Sequence, residues 1–196
     1  KNILRQGGNA GYMGFSFPDN LADAETPARK KQVALIQKTA DKTGDGVPDV
    51  MIDYFSGGAH CCFSTYFVNL GPTAEVVEVI NTDNASLVAT SVNPKGGLRF
   101  STNENAFAYW NIFYAGSPMP EVVLEFDNGK LRPNFALMKR PAPAMAKLKA
   151  KAKAASRKIS NAPYTEVGMD FEEAFWDEML HLIYSGHEDL AWKYFD

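Results

Sequence analysis

The sequence predicts an α+β fold, in which an antiparallel β-rich region of sandwich or curved-sheet type precedes two or three C-terminal helices. From Tyr12 to Leu137, short apolar runs of strand length are broken by turn residues, a pattern typical of antiparallel sheets. After Pro141 and Pro143 the apolar residues change to helical spacing, in a stretch rich in Ala and Lys. Both are good helix formers.

The length of the chain limits the number of domains that it can form. At 196 residues it can form one domain of ordinary size, or one domain with an appended helical piece. We expect a β-rich domain over residues 1–138 and a helical segment over 139–196 that packs on it, so that the two form one structural unit.

The strands are predicted from the apolar runs and from the turn residues between them. They cover residues 12–17, 32–38, 49–55, 61–69, 75–81, 97–101, 107–114, 121–126 and 130–137. Between the last two runs stands Asn128-Gly129, a pair that tolerates the positive φ angles of a type I′ turn. This pair predicts a β-hairpin.

Three helices are predicted after the strands. In the first, apolar residues recur with helical spacing at Met145, Leu148, Ala152, Ala155 and Ile159, which indicates one amphipathic helix. A second is expected from about 170 to 184, where Gly186 follows as a C-terminal stop, and a short third one covers about 188–195.

Charge is unevenly distributed along the chain. The net charge of −3 is too small to indicate a nucleic-acid partner. Residues 139–160 hold eight basic and no acidic side chains, whereas 161–196 hold nine acidic and one basic. The basic helix is compatible with a membrane surface, but its small apolar face favours a solvated helix beside the acidic one. No apolar run is long enough to span a bilayer.

The segment from Asp41 to Asp49 has the spacing of a cation-binding loop. Calcium takes six to eight oxygen ligands, and a tight loop supplies them at positions 1, 3, 5, 7 and 9, with glycine at position 6. The ligand positions hold Asp41, Thr43, Asp45, the Val47 carbonyl and Asp49, and Gly46 is sixth. The alternative is an Asx-type turn, in which the carboxylates accept backbone amides.

This segment resembles the calcium loops of FG-GAP and VCBS repeats, which occur in integrin α-chain propellers and in many secreted bacterial proteins. In that family the loop joins two strands, and here the predicted strands 32–36 and 50–54 flank it. An EF-hand is excluded because Ile52 stands where the bidentate Glu is required. A bound Ca²⁺ would be structural, since it would join the two flanking strands.

A second unusual segment is Ser56-Gly57-Gly58-Ala59-His60-Cys61-Cys62. Three interpretations are open. At least one cysteine is a small buried apolar residue, or the two form a vicinal disulfide, or His60 and Cys62 act as a soft-metal pair or as base and nucleophile.

Gly-Asp-Gly-Val-Pro-Asp followed by Ser-Gly-Gly-Ala-His-Cys-Cys is similar to a pattern in a group of uncharacterised bacterial exported proteins. The resemblance implies a periplasmic or secreted setting, where weak Ca²⁺ sites are usable. We therefore expect an exported, non-enzymatic binding or structural module with a Ca²⁺ loop, whose ligand is an unknown protein or small molecule. The alternative is a thiol- or metal-dependent enzyme or redox protein centred on His60, Cys61 and Cys62.

Overall fold

The computed structural model confirms the α+β class. It describes residues 14–16, 26–58, 60–110, 112–161 and 175–195. The chain divides into two compact units: residues 1–102 with 123–133, and residues 103–122 with 134–196. Within the described ranges, no helix has the length and apolar character needed to cross a membrane.

The first sheet contains four antiparallel strands in chain order. They are β1 (Gly14–Ser16), β2 (Asp49–Phe55), β3 (Phe63–Asn69) and β4 (Glu75–Asp83). The predicted bounds of β2 are confirmed. In the pairing of β2 with β3, Asp49 lies opposite Asn69 and Phe55 lies opposite Phe63, so these strands end together.

The second sheet also has four strands in chain order. They are β5 (Val88–Val92), β6 (Leu98–Asn103), β7 (Glu121–Asp127) and β8 (Lys130–Pro133). Asn128 and Gly129 have φ angles of 49° and 76°, which confirms the predicted hairpin between β7 and β8. The prediction missed β5, and it extended the last strand too far.

The two sheets share an aromatic core within the first unit. Phe67 of β3 contacts Phe100 of β6 and Phe126 of β7, with ring centroids 5.5 and 5.0 Å apart. Phe67 and Phe100 are fully buried, and edge-to-face contacts of this kind add to the stabilisation from buried area. The sheets therefore pack on each other, as expected of a sandwich.

The predicted strand at 32–38 is wrong, because these residues belong to helix α1 (Pro27–Lys38). The Thr26 hydroxyl accepts the Arg29 N–H at 3.2 Å, and Pro27 occupies the first turn, where its missing N–H costs nothing. Val33 and Ile36, three residues apart, are fully buried. Their helical spacing overrides the β-propensity of the run.

The predicted strand at 107–114 is also wrong. Its described residues form turns, and a 3₁₀ helix begins at Tyr114. Phe107 stacks on Trp110 at 6.2 Å, and Tyr109 adopts a φ of 63°. The aromatic side chains pack on one another, whereas a strand would project them alternately to its two faces.

The helices after β8 lie in the second unit. They are α2 (Phe135–Met138), α3 (Met145–Asn161), α4 (Asp177–Tyr184) and α5 (Glu188–Phe195). Residues 162–174, which include the predicted start of the second helix, lie outside the described residues. Leu148 of α3 packs with Met179 and Leu182 of α4. Lys151 of the basic helix pairs with Glu178 of the acidic one.

Candidate functional site

The segment from Asp41 to Asp49 connects a helix to a strand. Because α1 precedes it and β2 follows it, the strand-to-strand setting expected from the resemblance to FG-GAP and VCBS loops is wrong. The Asp49 N–H donates to the Ala40 carbonyl at 2.8 Å. This bond closes the loop at its base, and the carboxylates of Asp41, Asp45 and Asp49 all lie within a short, folded segment.

Asp41 organises the first half of the loop. Its Oδ1 accepts the N–H groups of Gly44 at 2.6 Å and Asp45 at 3.2 Å, and its Oδ2 accepts that of Gly46 at 2.8 Å. Gly44 and Gly46 have φ angles of 81° and 93°, which other residues adopt at a cost. The carboxylate-to-amide bonding of the alternative interpretation is therefore present, and three backbone amides point toward the Asp41 carboxylate.

Asp49 lies inside the loop and is only 3% exposed. Its Oδ2 accepts the Lys42 N–H at 2.8 Å, the Thr43 N–H at 2.9 Å and the Thr43 hydroxyl at 3.0 Å. Its Oδ1 is buried, and no hydrogen-bond donor contacts it among the described residues. Burial raises the pKa of Asp49 above its ordinary value, against the lowering effect of the bonds from Thr43 and Lys42.

Asp45 is exposed, and it links the loop to the first sheet. Its Oδ1 accepts the Val47 N–H at 2.8 Å, and its Oδ2 accepts the Asn69 side-chain amide at 3.1 Å. Asn69 ends β3 and is held by the Gly71 N–H, which donates to its Oδ1 at 2.9 Å. Asn69 was not predicted from the sequence, because only the pairing of β2 with β3 brings it to the loop.

Lys42 connects the loop to the residues before and after it. It is buried, and its ammonium group donates to the carbonyls of Thr39 at 3.1 Å and Asp49 at 2.7 Å. Its own carbonyl accepts the Leu98 N–H at 2.8 Å, so β6 of the second sheet also holds the loop. This role of Lys42 was not predicted from the sequence, since lysine is mostly an exposed residue.

The predicted ligands are brought together in part. Asp41, Asp45 and Asp49 each offer a carboxylate oxygen within 4.8 Å of the others. The Thr43 hydroxyl lies 3.4 Å from Asp41 Oδ1, and Val47 belongs to the same loop through its bond to Asp45. These donors are all oxygens, which suits a hard cation. The buried Asp49 Oδ1, which accepts no hydrogen bond among the described residues, also fits one.

The second unusual segment forms the hairpin loop between β2 and β3. The Ser56 N–H donates to the Cys62 carbonyl at 3.0 Å, and the Cys62 N–H donates to the Ser56 hydroxyl at 2.8 Å. Cys61 and His60 are exposed, whereas Cys62 is half-buried. Cys61 and Cys62 are joined in a disulfide, one of the three arrangements considered above.

Asp83 is a neighbour of this disulfide that the sequence analysis missed. It ends β4 and pairs with Phe63, the residue after Cys62. Its N–H donates to the Asn81 side-chain oxygen at 3.0 Å. A carboxylate oxygen of Asp83 and the sulfurs of Cys61 and Cys62 lie within 4.8 Å of one another. Strand pairing thus adds a carboxylate to the two cysteines.

Comparisons with known proteins yield no relative. No family model matches the chain, and no match is found among curated proteins or solved structures.

Proposed function

We propose that this chain is a non-enzymatic binding or structural module, exported by a bacterium, whose Asp41–Asp49 loop holds Ca²⁺. The observation that carries the proposal is the Asp49 side chain, which is 3% exposed and has an Oδ1 atom with no donor among the described residues. A buried anionic oxygen without a partner is costly. A cation at this oxygen would offset that cost.

The charges around the loop support the same proposal. Asp41, Asp45 and Asp49 repel one another within 4.8 Å, and nearby like charges disfavour ionisation. Backbone amides offset part of this repulsion, yet they leave carboxylate lone pairs free, because each oxygen has about two. A divalent cation among the three carboxylates would neutralise most of their charge.

The proposed role of the ion is structural. The loop is attached to α1 through Lys42 and Thr39, to β3 through Asn69 and to β6 through Leu98. A cation bound there would stabilise the junction of these elements. The proposal of export rests on the resemblance to exported bacterial proteins.

Thermal unfolding in Ca²⁺ and in a chelator tests the calcium proposal. Calcium at about a hundred times its dissociation constant would stabilise the folded state by about 2.7 kcal/mol, which corresponds to a rise in Tm of about 5–10 °C for a chain of this size. Asp45→Ala should lose most of this rise, whereas Asp127→Ala, an exposed aspartate on the β7–β8 hairpin, should retain it. An unchanged Tm in calcium and in chelator would contradict the proposal.

A second candidate function is a thiol- or metal-dependent enzyme or redox protein centred on His60, Cys61 and Cys62. The exposure of Cys61 favours it, because thiol–disulfide exchange requires access to a sulfur atom. Alkylation of the native protein tests it. Iodoacetamide should modify both cysteines only after treatment with a reductant, and cysteines that stay unmodified in the folded, reductant-treated protein would exclude this candidate.

A further inference from the structure

We propose that reduction of the Cys61–Cys62 disulfide creates a binding site for a thiophilic divalent cation of the Zn²⁺ class, with Cys61, Cys62 and Asp83 as its protein ligands. The inference rests on the second candidate function, in that a reductant must reach the disulfide. It is independent of the calcium loop, which lies at the other end of β2.

The positions of the ligand atoms support the site. The two sulfurs and a carboxylate oxygen of Asp83 lie within 4.8 Å of one another. In a tetrahedral zinc site with Zn–S bonds of about 2.3 Å, ligand sulfurs stand about 3.8 Å apart. All three groups can therefore reach one ion once the sulfur–sulfur bond is broken and the two thiolates separate, and a water molecule can complete the coordination.

The hairpin holds these groups in place without help from the disulfide. The two hydrogen bonds between Ser56 and Cys62 fix the backbone of Cys62, and pairing with Phe63 fixes that of Asp83. Phe63 is itself stacked on Phe55, with ring centroids 4.5 Å apart. The backbone that presents the ligands is thus part of the first sheet and should persist after reduction.

The disulfide also contributes little to the stability of the fold. It joins neighbouring residues, and a cross-link stabilises mainly by closing a loop in the unfolded chain, with a smaller effect for shorter loops. Reduction should therefore leave the protein folded. A cross-link that does not stabilise the fold is available for a chemical role.

The oxidation state of the sulfurs determines whether the site exists. In the disulfide neither sulfur is a thiolate, and thiolate is the form that binds metals. Two external thiols, R–SH, reduce it: the Cys61–Cys62 bond breaks, one R–S–S–R bond forms, and two electrons and two protons pass to the cysteine sulfurs. A divalent cation then binds both sulfurs and displaces these two protons into solvent.

The donor set determines the class of cation. Two thiolates and one carboxylate suit Zn²⁺ or Cd²⁺, whereas Ca²⁺ and Mg²⁺ prefer oxygen donors alone. This donor set contains two sulfurs, whereas every candidate donor in the Asp41–Asp49 loop is an oxygen. The chain would thus separate hard and soft cations between the two ends of one strand.

Metal titration of the full chain in its two oxidation states tests the inference. The protein is reduced with a phosphine, desalted without oxygen and titrated with Zn²⁺ by calorimetry, and with Cd²⁺ by its thiolate-to-metal absorption band. We expect a binding event and a Cd–thiolate band in the reduced protein alone. Zinc binding of equal strength in the oxidised protein would overturn the proposal, because it would place the metal elsewhere.

Variants identify the ligands. Asp83→Asn should weaken Zn²⁺ binding by the reduced protein by at least about tenfold, since loss of a ligand costs no less than loss of an outer-sphere partner. Asp127→Asn should leave it unchanged. An unchanged affinity in Asp83→Asn, or loss of the far-ultraviolet dichroism of the wild type on reduction, would overturn the proposal. Thiols that open to alkylation but bind no Zn²⁺ would contradict this inference and leave the second candidate function standing.

Discussion

The two unusual loops lie at opposite ends of β2, about 20 Å apart along the strand, and they differ in how their polar groups are satisfied. The loop before β2 surrounds its carboxylates with backbone amides and buries Asp49. The loop after β2 leaves Cys61 exposed and is closed by two hydrogen bonds from Ser56 and Cys62. The first loop buries Lys42, Thr43 and Asp49, whereas the second forms the exposed end of a hairpin.

The two loops differ in how many parts of the fold they contact. The Asp41–Asp49 loop contacts α1, β3 and β6, so a change within it should affect the stability of the whole first unit. The Ser56–Cys62 loop connects only two neighbouring strands, so a change in its sulfurs should affect chemistry more than stability.

The largest effect is expected from Asp49→Ala. The substitution leaves the N–H groups of Lys42 and Thr43 and the Thr43 hydroxyl without their acceptor, and buried donors without partners cost about 2–4 kcal/mol in total. Urea unfolding in chelator measures this loss. Asp127→Ala, at an exposed position, is the control and should stay within about 0.5 kcal/mol of wild type. Equal stabilities of the two variants would show that the loop does not support the fold.

Gly97→Ala should destabilise the first unit by about 2 kcal/mol through overpacking. A Cβ at this position would lie 2.8 Å from the Gly44 nitrogen and 3.0 Å from its Cα, so the loop would have to move away from β6. Calcium affinity should fall as well. Gly96→Ala is the matched control: its Cβ meets open space at a φ of 97°, so it should cost only about 1 kcal/mol of backbone strain and leave calcium affinity unchanged.

Asp53, in the strand β2 between the two loops, should make the free energy of unfolding depend on pH. Burial raises the pKa of Asp53 above 3.8, although the bond from the Thr65 hydroxyl and the charge of Arg29 lower it. The folded state therefore retains this proton to a higher pH than the unfolded state, so this contribution to stability is present below about pH 4 and is lost as pH rises through the folded-state pKa.

Asp53→Asn should flatten this part of the pH dependence, because the amide keeps an acceptor for Thr65, which now donates to Asp53 Oδ1 at 2.7 Å, and cannot ionise. Urea midpoints of wild type and variant, measured in chelator from about pH 4 to pH 7, check this. The pH dependence of the midpoint that remains in the variant is due in part to Asp49, because burial also raises the pKa of Asp49. Parallel curves would contradict the assignment to Asp53.

The smallest effect is expected from the double substitution Cys61→Ser with Cys62→Ser. Because the disulfide joins adjacent residues, its loss should change the free energy of unfolding by about 1 kcal/mol or less. The calcium-dependent rise in Tm should be unchanged, since these residues make no described contact with the Asp41–Asp49 loop. A loss of unfolding free energy as large as that of Asp49→Ala would show that both loops stabilise the fold.

Local residue order accounts for the parts of the fold that were predicted. The β2 strand, the Asn128-Gly129 hairpin and the helix from Met145 follow from period, turn chemistry and propensity, which act over a few residues. The wrong prediction of a strand at 32–38 also concerned local signals. Thr26-Pro27 is a helix-start signal, and Val33 and Ile36 have helical spacing, so the sequence contained evidence for α1 that the apolar run obscured.

The chemical identity of both loops can be read from the chain, because neighbouring residues supply most of their donors: Asp41, Asp45 and Asp49 in one, Cys61 and Cys62 in the other. Their surroundings cannot be read in this way. Asn69 and Leu98 reach the first loop, and Asp83 reaches the second, through strand pairing and the packing of two sheets. Such contacts join residues distant in sequence, so only the tertiary structure decides which carboxylate is buried and which sulfur is exposed.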